Sequence, residues 1–99
     1  MTKQGRGVLT ARIKTASKRM IGYAITQQEL RFIPYLHYTA TNSQRINAEA
    51  INLDELDILA RWESDGHLVS GEKLAISKKF WTFMNEMLWL GYVDLDKEA

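Results

Sequence analysis

The 99 residues are 45% hydrophobic and 25% charged with a net charge of +1, which suits one compact domain with a single core and is too little chain for two. The absence of cysteine excludes disulfides, thiolate metal sites and cysteine nucleophiles together, and points to a cytoplasmic setting. No run approaches the ~18 continuous apolar residues of a membrane span, and no apolar leader opens the chain, so a soluble protein without a membrane partner is expected.

The near-neutral total conceals a division. Residues 1–50 carry eight Lys or Arg against two acids, a net +6, and residues 51–99 carry five against ten, a net −5. Lys3, Arg6, Arg12, Lys14, Lys18 and Arg19 all precede the first acid, Glu29. Such a basic arm attracts nucleic acid or another polyanion; alternatively, the two halves attract each other within the monomer or across a dimer.

In chain order, residues 1–7 are polar with two glycines and read as a mobile tail. Residues 8–21 read as a helix stopped by Gly22, with Leu9, Ile13, Ala16 and Met20 in a narrow apolar seam and Arg12, Lys14, Lys18 and Arg19 off it. The seam packs on the core or on a partner helix. Thr26 and Glu29 have capping-box spacing and Ile25 and Leu30 staple spacing, so a second helix starts there. Pro34 predicts a kink or break, and the run Phe32, Ile33, Tyr35, Leu36, Tyr38 leaves an edge strand as the alternative. Together, residues 8–42 form the N-terminal helices, and the polar stretch from Thr39 to Asn52 reads as a helix end and a loop.

Asn52 with Glu55, Asp54 in the first turn, and the staple pair Ile51 and Leu56 begin a third helix at Leu53. Leu56, Leu59 and Ala60 share one face and Ile58 and Trp62 another, which predicts a helix covered on two sides at the centre of the core. Asp65-Gly66 ends it, His67–Val69 is a short strand candidate, and Ser70 caps a short helix through Glu72, Leu74 and Ala75. Ser77 caps a helix over 78–90 that Gly91 closes in the left-handed conformation. On it Phe80, Phe83, Met84, Met87 and Leu88 gather on one side, and Lys78, Thr82, Asn85 and Trp89 on the other. Tyr92, Val93 and Leu95 read as a strand.

This order of helix, short strand, short helix, helix and strand, with the ending Leu90-Gly91-Tyr92-Val93, resembles the winged helix-turn-helix DNA-binding superfamily and its MarR-like branch. The resemblance covers about residues 53–95. It implies a winged-helix-like three-helix core, His67–Val69 paired with Tyr92–Leu95, a recognition helix at 78–90, and N-terminal helices used for dimerisation. Under it, Lys78 and Lys79 meet phosphates, Asn85 pairs with adenine and Thr82 contacts a base edge, with Arg12, Lys14, Lys18 and Arg19 on phosphates. The same Lys/Thr/Asn stripe also reads as an ordinary solvated helix face. Trp81 and Trp89, with the seam residues Leu9, Ile13 and Met20, read as a partner interface.

No catalytic or metal constellation is found. His37 and His67 each lack a second ligand at metal spacing, and the acids at 54, 55 and 57 are accounted for by the helix start. The expectation is a mainly α domain with a small two-stranded β element, without cofactor or metal, most simply a homodimer. It acts either as a small DNA-binding transcriptional regulator or as a protein-interaction adaptor of the phage or mobile-element accessory type.

Overall fold

Each long helix begins on a side-chain cap. In the computed structural model, which describes residues 7–94, α1 (Ala11–Ile21) starts from Thr10, α2 (Gln27–Thr41) from Thr26, α3 (Leu53–Ser64) from Asn52 and α4 (Lys78–Leu88) from Ser77. Every one of these caps accepts a hydrogen bond from the backbone amide three residues on, satisfying a donor that the first helical turn leaves free. Thr26–Glu29 and Asn52–Glu55 are complete, reciprocal capping boxes. A single 3-10 turn (Ala48–Ala50) interrupts the loop before α3, and a five-residue π-turn (Trp89–Val93) extends α4. With one two-stranded antiparallel sheet, the fold class is mainly α with a small β element. No helix among the described residues is long and apolar enough to cross a membrane.

Several local expectations are corrected. The first helix starts at Ala11 instead of Val8, because Thr10 supplies a cap for the Ile13 amide. At the end of the tail, Gly7 is buried, its amide donating to the Gly91 carbonyl (2.8 Å); the rest of the tail lies outside the described residues. Pro34 neither breaks the second helix nor turns it into an edge strand, since α2 runs from Gln27 to Thr41 across it. Buried Phe32, Ile33 and Leu36 around the proline hold α2 to the core, and their packing outweighs the roughly 3 kcal/mol an interior proline costs.

The short helix expected over 70–75 is a β-hairpin. β1 (Leu68–Ser70) pairs with β2 (Leu74–Ile76) in the register Leu68↔Ile76, Val69↔Ala75, Ser70↔Leu74. A three-residue loop closes this pairing at far less entropic cost than the distant partner at 92–95 requires. Tyr92 and Val93 lie in the π-turn instead of a strand, and Leu95 is outside the described residues. Gly91 does not close a helix at positive φ. It is buried in the π-turn, where a Cβ would meet Leu30 Cδ1 at 3.4 Å and Ile13 Cδ1 at 3.7 Å, ordinary packing distances.

The core is built around α4, which packs on α1 along one side and on α2 along the other. Its Phe80, Phe83, Met84 and Met87 are fully buried, as the periodicity requires, while Leu88 is half-buried. α3 was expected at the centre and lies at the edge: Ile58, Leu59 and Trp62 face inward, whereas Leu53 is 79% exposed and Leu56 and Ala60 are exposed as well. Aromatic rings join the layers. Trp62 stacks on Phe32 of α2 and meets Phe80 edge-on (centroids 4.9 Å), and Phe80 stacks on His67 before β1 (4.5 Å).

One polar cluster runs through this packing. The Glu29 carboxylate, 1% exposed, accepts from the Thr26 amide (2.8 Å) and from Tyr23 Oη (3.0 Å) and pairs with Arg61. Tyr23 Oη in turn accepts from Trp62 Nε1 (2.7 Å) and from Arg61 (3.3 Å), whose guanidinium also lies over the Tyr23 ring. Beside it, Ser17 Oγ donates to the Tyr23 carbonyl (2.7 Å) and accepts from the Ile25 amide (3.1 Å), fixing the α1–α2 turn.

Tyr23→Phe therefore leaves a fully buried indole N–H without its acceptor, and urea denaturation should show a loss of about 1–3 kcal/mol. Arg61→Met, which leaves the buried Glu29 carboxylate without its cation, should cost at least as much. A second expectation concerns pH. Burial against Phe80 holds the His67 pKa below its ordinary 6.5, with Lys79 adding to the depression and Asp65 opposing it. The native state then resists protonation more than the unfolded chain does. The contribution is complete above pH 6.5 and is lost as pH falls below it toward the folded-state value. Denaturation midpoints at pH 7.5 and 5.0 should differ in the wild type, and the difference should shrink in His67→Phe.

Candidate functional site

The outward strip of α4 is where the sequence places it. Lys78, Lys79, Thr82, Asn85 and Trp89 are exposed. Its shoulders are covered: Trp81 and Leu88 are half-buried toward α2, and Glu86 is half-buried toward α1. The polar side chains on the strip are partly engaged within the molecule. Thr82 Oγ1 donates to the Lys78 carbonyl of its own helix (3.2 Å), and Asn85 Oδ1 is 3.0 Å from His37 Nε2 of α2. The His37 ring also stacks on the Trp81 indole, centroids 4.7 Å apart and planes within 12°.

The basic residues of α1 divide into two groups. Arg12 is tied to the carboxylate of Asp94 (2.7 Å), closing α1 onto the end of the π-turn. Lys14, Lys18 and Arg19 are exposed, and none of the ion pairs among the described residues involves them. The acids of α3 therefore do not neutralise the basic helix from within the monomer. In the seam, Ile13 is 0% exposed and belongs to the monomer's own core, and Leu9 and Met20 are half-buried against that core. Ile13 is thereby removed from any partner interface, and the seam is an internal one.

What sequence periodicity missed is the contribution of α2. Pro34, His37, Tyr38 and Thr41 recur at three, one and three residues, which places them on one face of α2. With Asn42 and with Leu88 from α4 they line a groove of about 290 Å³. Within its lining Tyr38 is 60% exposed, and on α4's outward strip Trp89, one turn beyond Asn85 and next in sequence to the lining residue Leu88, is 51% exposed. The result is a composite face of α2 and α4: a groove, the exposed rings of Tyr38 and Trp89, and the His37–Trp81 stack with Asn85 against His37. Pro34 has a role here, because its ring forms part of the groove wall. No Lys, Arg, Asp or Glu lines the groove. The spacing of 34, 37, 38 and 41 was available in the sequence, hidden by the expectation of a kink or break at the proline and by the edge-strand alternative.

A second groove, between α1 and α4, is lined by Arg12, Thr15, Arg19, Glu86 and Leu90 among others. There the guanidinium of Arg12 is already held by Asp94 and a carboxylate shares the wall. Among the described residues no three His, Asp or Glu side chains converge as a metal site. No protein-family model, no curated protein and no solved structure matches the chain.

The three tryptophans should be distinguishable by iodide quenching. Trp62 is fully buried, Trp81 lies half-buried beneath His37 and Trp89 is open to solvent. Most of the quenchable emission should disappear in Trp89→Phe, and His37→Ala should raise the quenchable share of Trp81.

Proposed function

We propose that this protein is a non-catalytic, cytoplasmic protein-interaction module, and that the α2–α4 face receives an apolar anchor from a protein partner. The observation that supports this reading is the open ring of Tyr38 in the lining of a groove that has no Lys, Arg, Asp or Glu, together with the open ring of Trp89 next in sequence to the lining residue Leu88. Exposed aromatics next to a concave apolar surface are the elements that dominate binding energy in protein interfaces.

Reading of DNA by α4 is the weaker alternative on this geometry. The major groove is ~12 Å wide and a helix with its side chains spans ~10–12 Å, so a reading helix must stand clear of its neighbours. α4 is flanked on both sides, Asn85 is engaged by His37, and the helix is preceded by a hairpin in place of the first helix of a helix-turn-helix. Lys78, Lys79 and the free cations of α1 would supply phosphate contacts, and these do not require the aromatic face.

The test selects peptides from a displayed random library on the full chain. Peptides with a closely spaced pair of aromatic or aliphatic anchors are expected, and Trp89→Ala and Tyr38→Ala should each weaken their binding by about 30-fold, the effect of losing a hot spot. The triple variant Lys14→Ala/Lys18→Ala/Arg19→Ala should bind them as the wild type does. The opposite pattern overturns the reading in favour of nucleic acid: no anchored peptides, together with duplex DNA binding that weakens steeply with salt, depends on those cations and is indifferent to Trp89→Ala.

A further inference from the structure

We propose that the partner seated on the α2–α4 face is a second copy of this chain, the two copies meeting about a two-fold axis. This inference rests on the reading of that face as a protein-docking surface and names its occupant.

Three features of the face fit self-association. The first is charge. In a two-fold interface one patch meets itself, so any fixed charge near the axis confronts its own copy. A quarter of the chain is charged, yet the groove has no Lys, Arg, Asp or Glu in its lining, and Trp81 and Asn85 next to His37 are uncharged too; on the exposed α4 strip the charge is confined to Lys78 and Lys79 at the start of the helix. The free cations of α1 lie on the helix that flanks the opposite side of α4, outside the patch. The second feature is shape. The patch carries a concavity of about 290 Å³ and also the protruding rings of Tyr38 and Trp89, so the same surface offers both the hole and the knobs that a self-complementary contact needs.

The third feature is extent. Two aromatic side chains of ~150–250 Å² each, exposed to 60% and 51%, present roughly 200 Å² of apolar-rich surface between them. That is about a quarter of the ~800 Å² that each partner buries in an interface of standard size. Exposed Thr41, Asn42, Thr82 and Asn85 around the rings supply the polar rim that such interfaces have. Asn85 Oδ1 and His37 Nε2, already bonded to each other, enter the contact as a satisfied pair, and the Asn85 amide N–H groups remain to bond across it.

The absence of cysteine makes the geometry directly testable. Sedimentation velocity of the full chain across ~1–200 μM, the affinity range of transient standard-size contacts, should show a monomer–dimer equilibrium. Trp89→Glu places like charges at the interface and should weaken dimerisation by about 30-fold or more, whereas Lys14→Glu should leave it unchanged. Single-cysteine variants of the otherwise intact chain give a readout that does not depend on the glutamate variant folding. Asn85→Cys and Thr41→Cys should be cross-linked into dimers by a short bismaleimide, and Lys18→Cys should not.

A chain that stays monomeric throughout, or a dimer that persists in Trp89→Glu and is cross-linked through Lys18→Cys, overturns the inference. If the monomeric chain still selects peptides that depend on Trp89, the docking face stands and only its assigned occupant fails. If it selects none, both readings fail together.

Discussion

A single buried carboxylate fixes the arrangement on which the outer face depends. Glu29 is the third residue of α2 and completes the capping box there, so its position is set by the helix it starts. Because it is almost fully buried, it must be paired to remain charged, and Tyr23 and Arg61 meet that requirement from the α1–α2 turn and from α3. Tyr23 then accepts the indole N–H of Trp62, which positions a ring that touches both Phe32 and Phe80. The rotation of α4 about its own axis follows from the seating of Phe80. Trp81 is accordingly turned toward α2, and Trp89 outward.

Such a chain of constraints explains which parts of the fold were readable from the sequence. The caps at Thr26, Asn52 and Ser77 are local chemistry, each a short polar side chain three residues ahead of the amide it accepts from, and they fixed three helix starts. The buried side of α4 is equally local, since a period of 3.6 depends only on the helix itself. The hairpin at 68–76 is a different case. Its two strands have the same pattern of buried, exposed and half-buried residues, but three-residue strands are too short for alternation to be told from a helical turn. α3 shows the same limit in another form. Apolar residues at 53, 56 and 60 say that a surface could be covered, and only the number of neighbouring elements decides whether it is.

The candidate site was legible by halves. Lys78, Thr82, Asn85 and Trp89 were identified as one exposed strip because they share one helix. Its neighbours were not legible, because a strip read on one helix says nothing of the element beside it. In the fold His37 stacks on Trp81 and engages Asn85 Oδ1, so part of the strip is joined to α2 in one surface. Pro34 hid that surface: a residue that argues against a continuing helix from local sequence here serves as groove wall on a helix held by tertiary packing.

The division of charge gains meaning from this placement. α1 contains four cations and no acid, and α3 contains four acids and the single cation Arg61, which is drawn inward to Glu29. The two helices make no extensive contact with each other, and Lys14, Lys18 and Arg19 form no ion pair with the acids of α3 among the described residues, so apart from Arg12, held by Asp94, the charge of each helix stays exposed. Charges so disposed act over about a Debye length and orient an approaching molecule before contact, while an uncharged aromatic face acts only on contact. Between two copies of the chain these effects separate cleanly. A two-fold pairing through the α2–α4 face keeps each basic helix outside the contact, doubling the cationic surface of the assembly without placing like charges against one another. Any polyanion attracted to that surface would then meet two basic helices per particle. Self-association through the aromatic face and electrostatic attraction along α1 are therefore compatible, because they draw on different sides of α4.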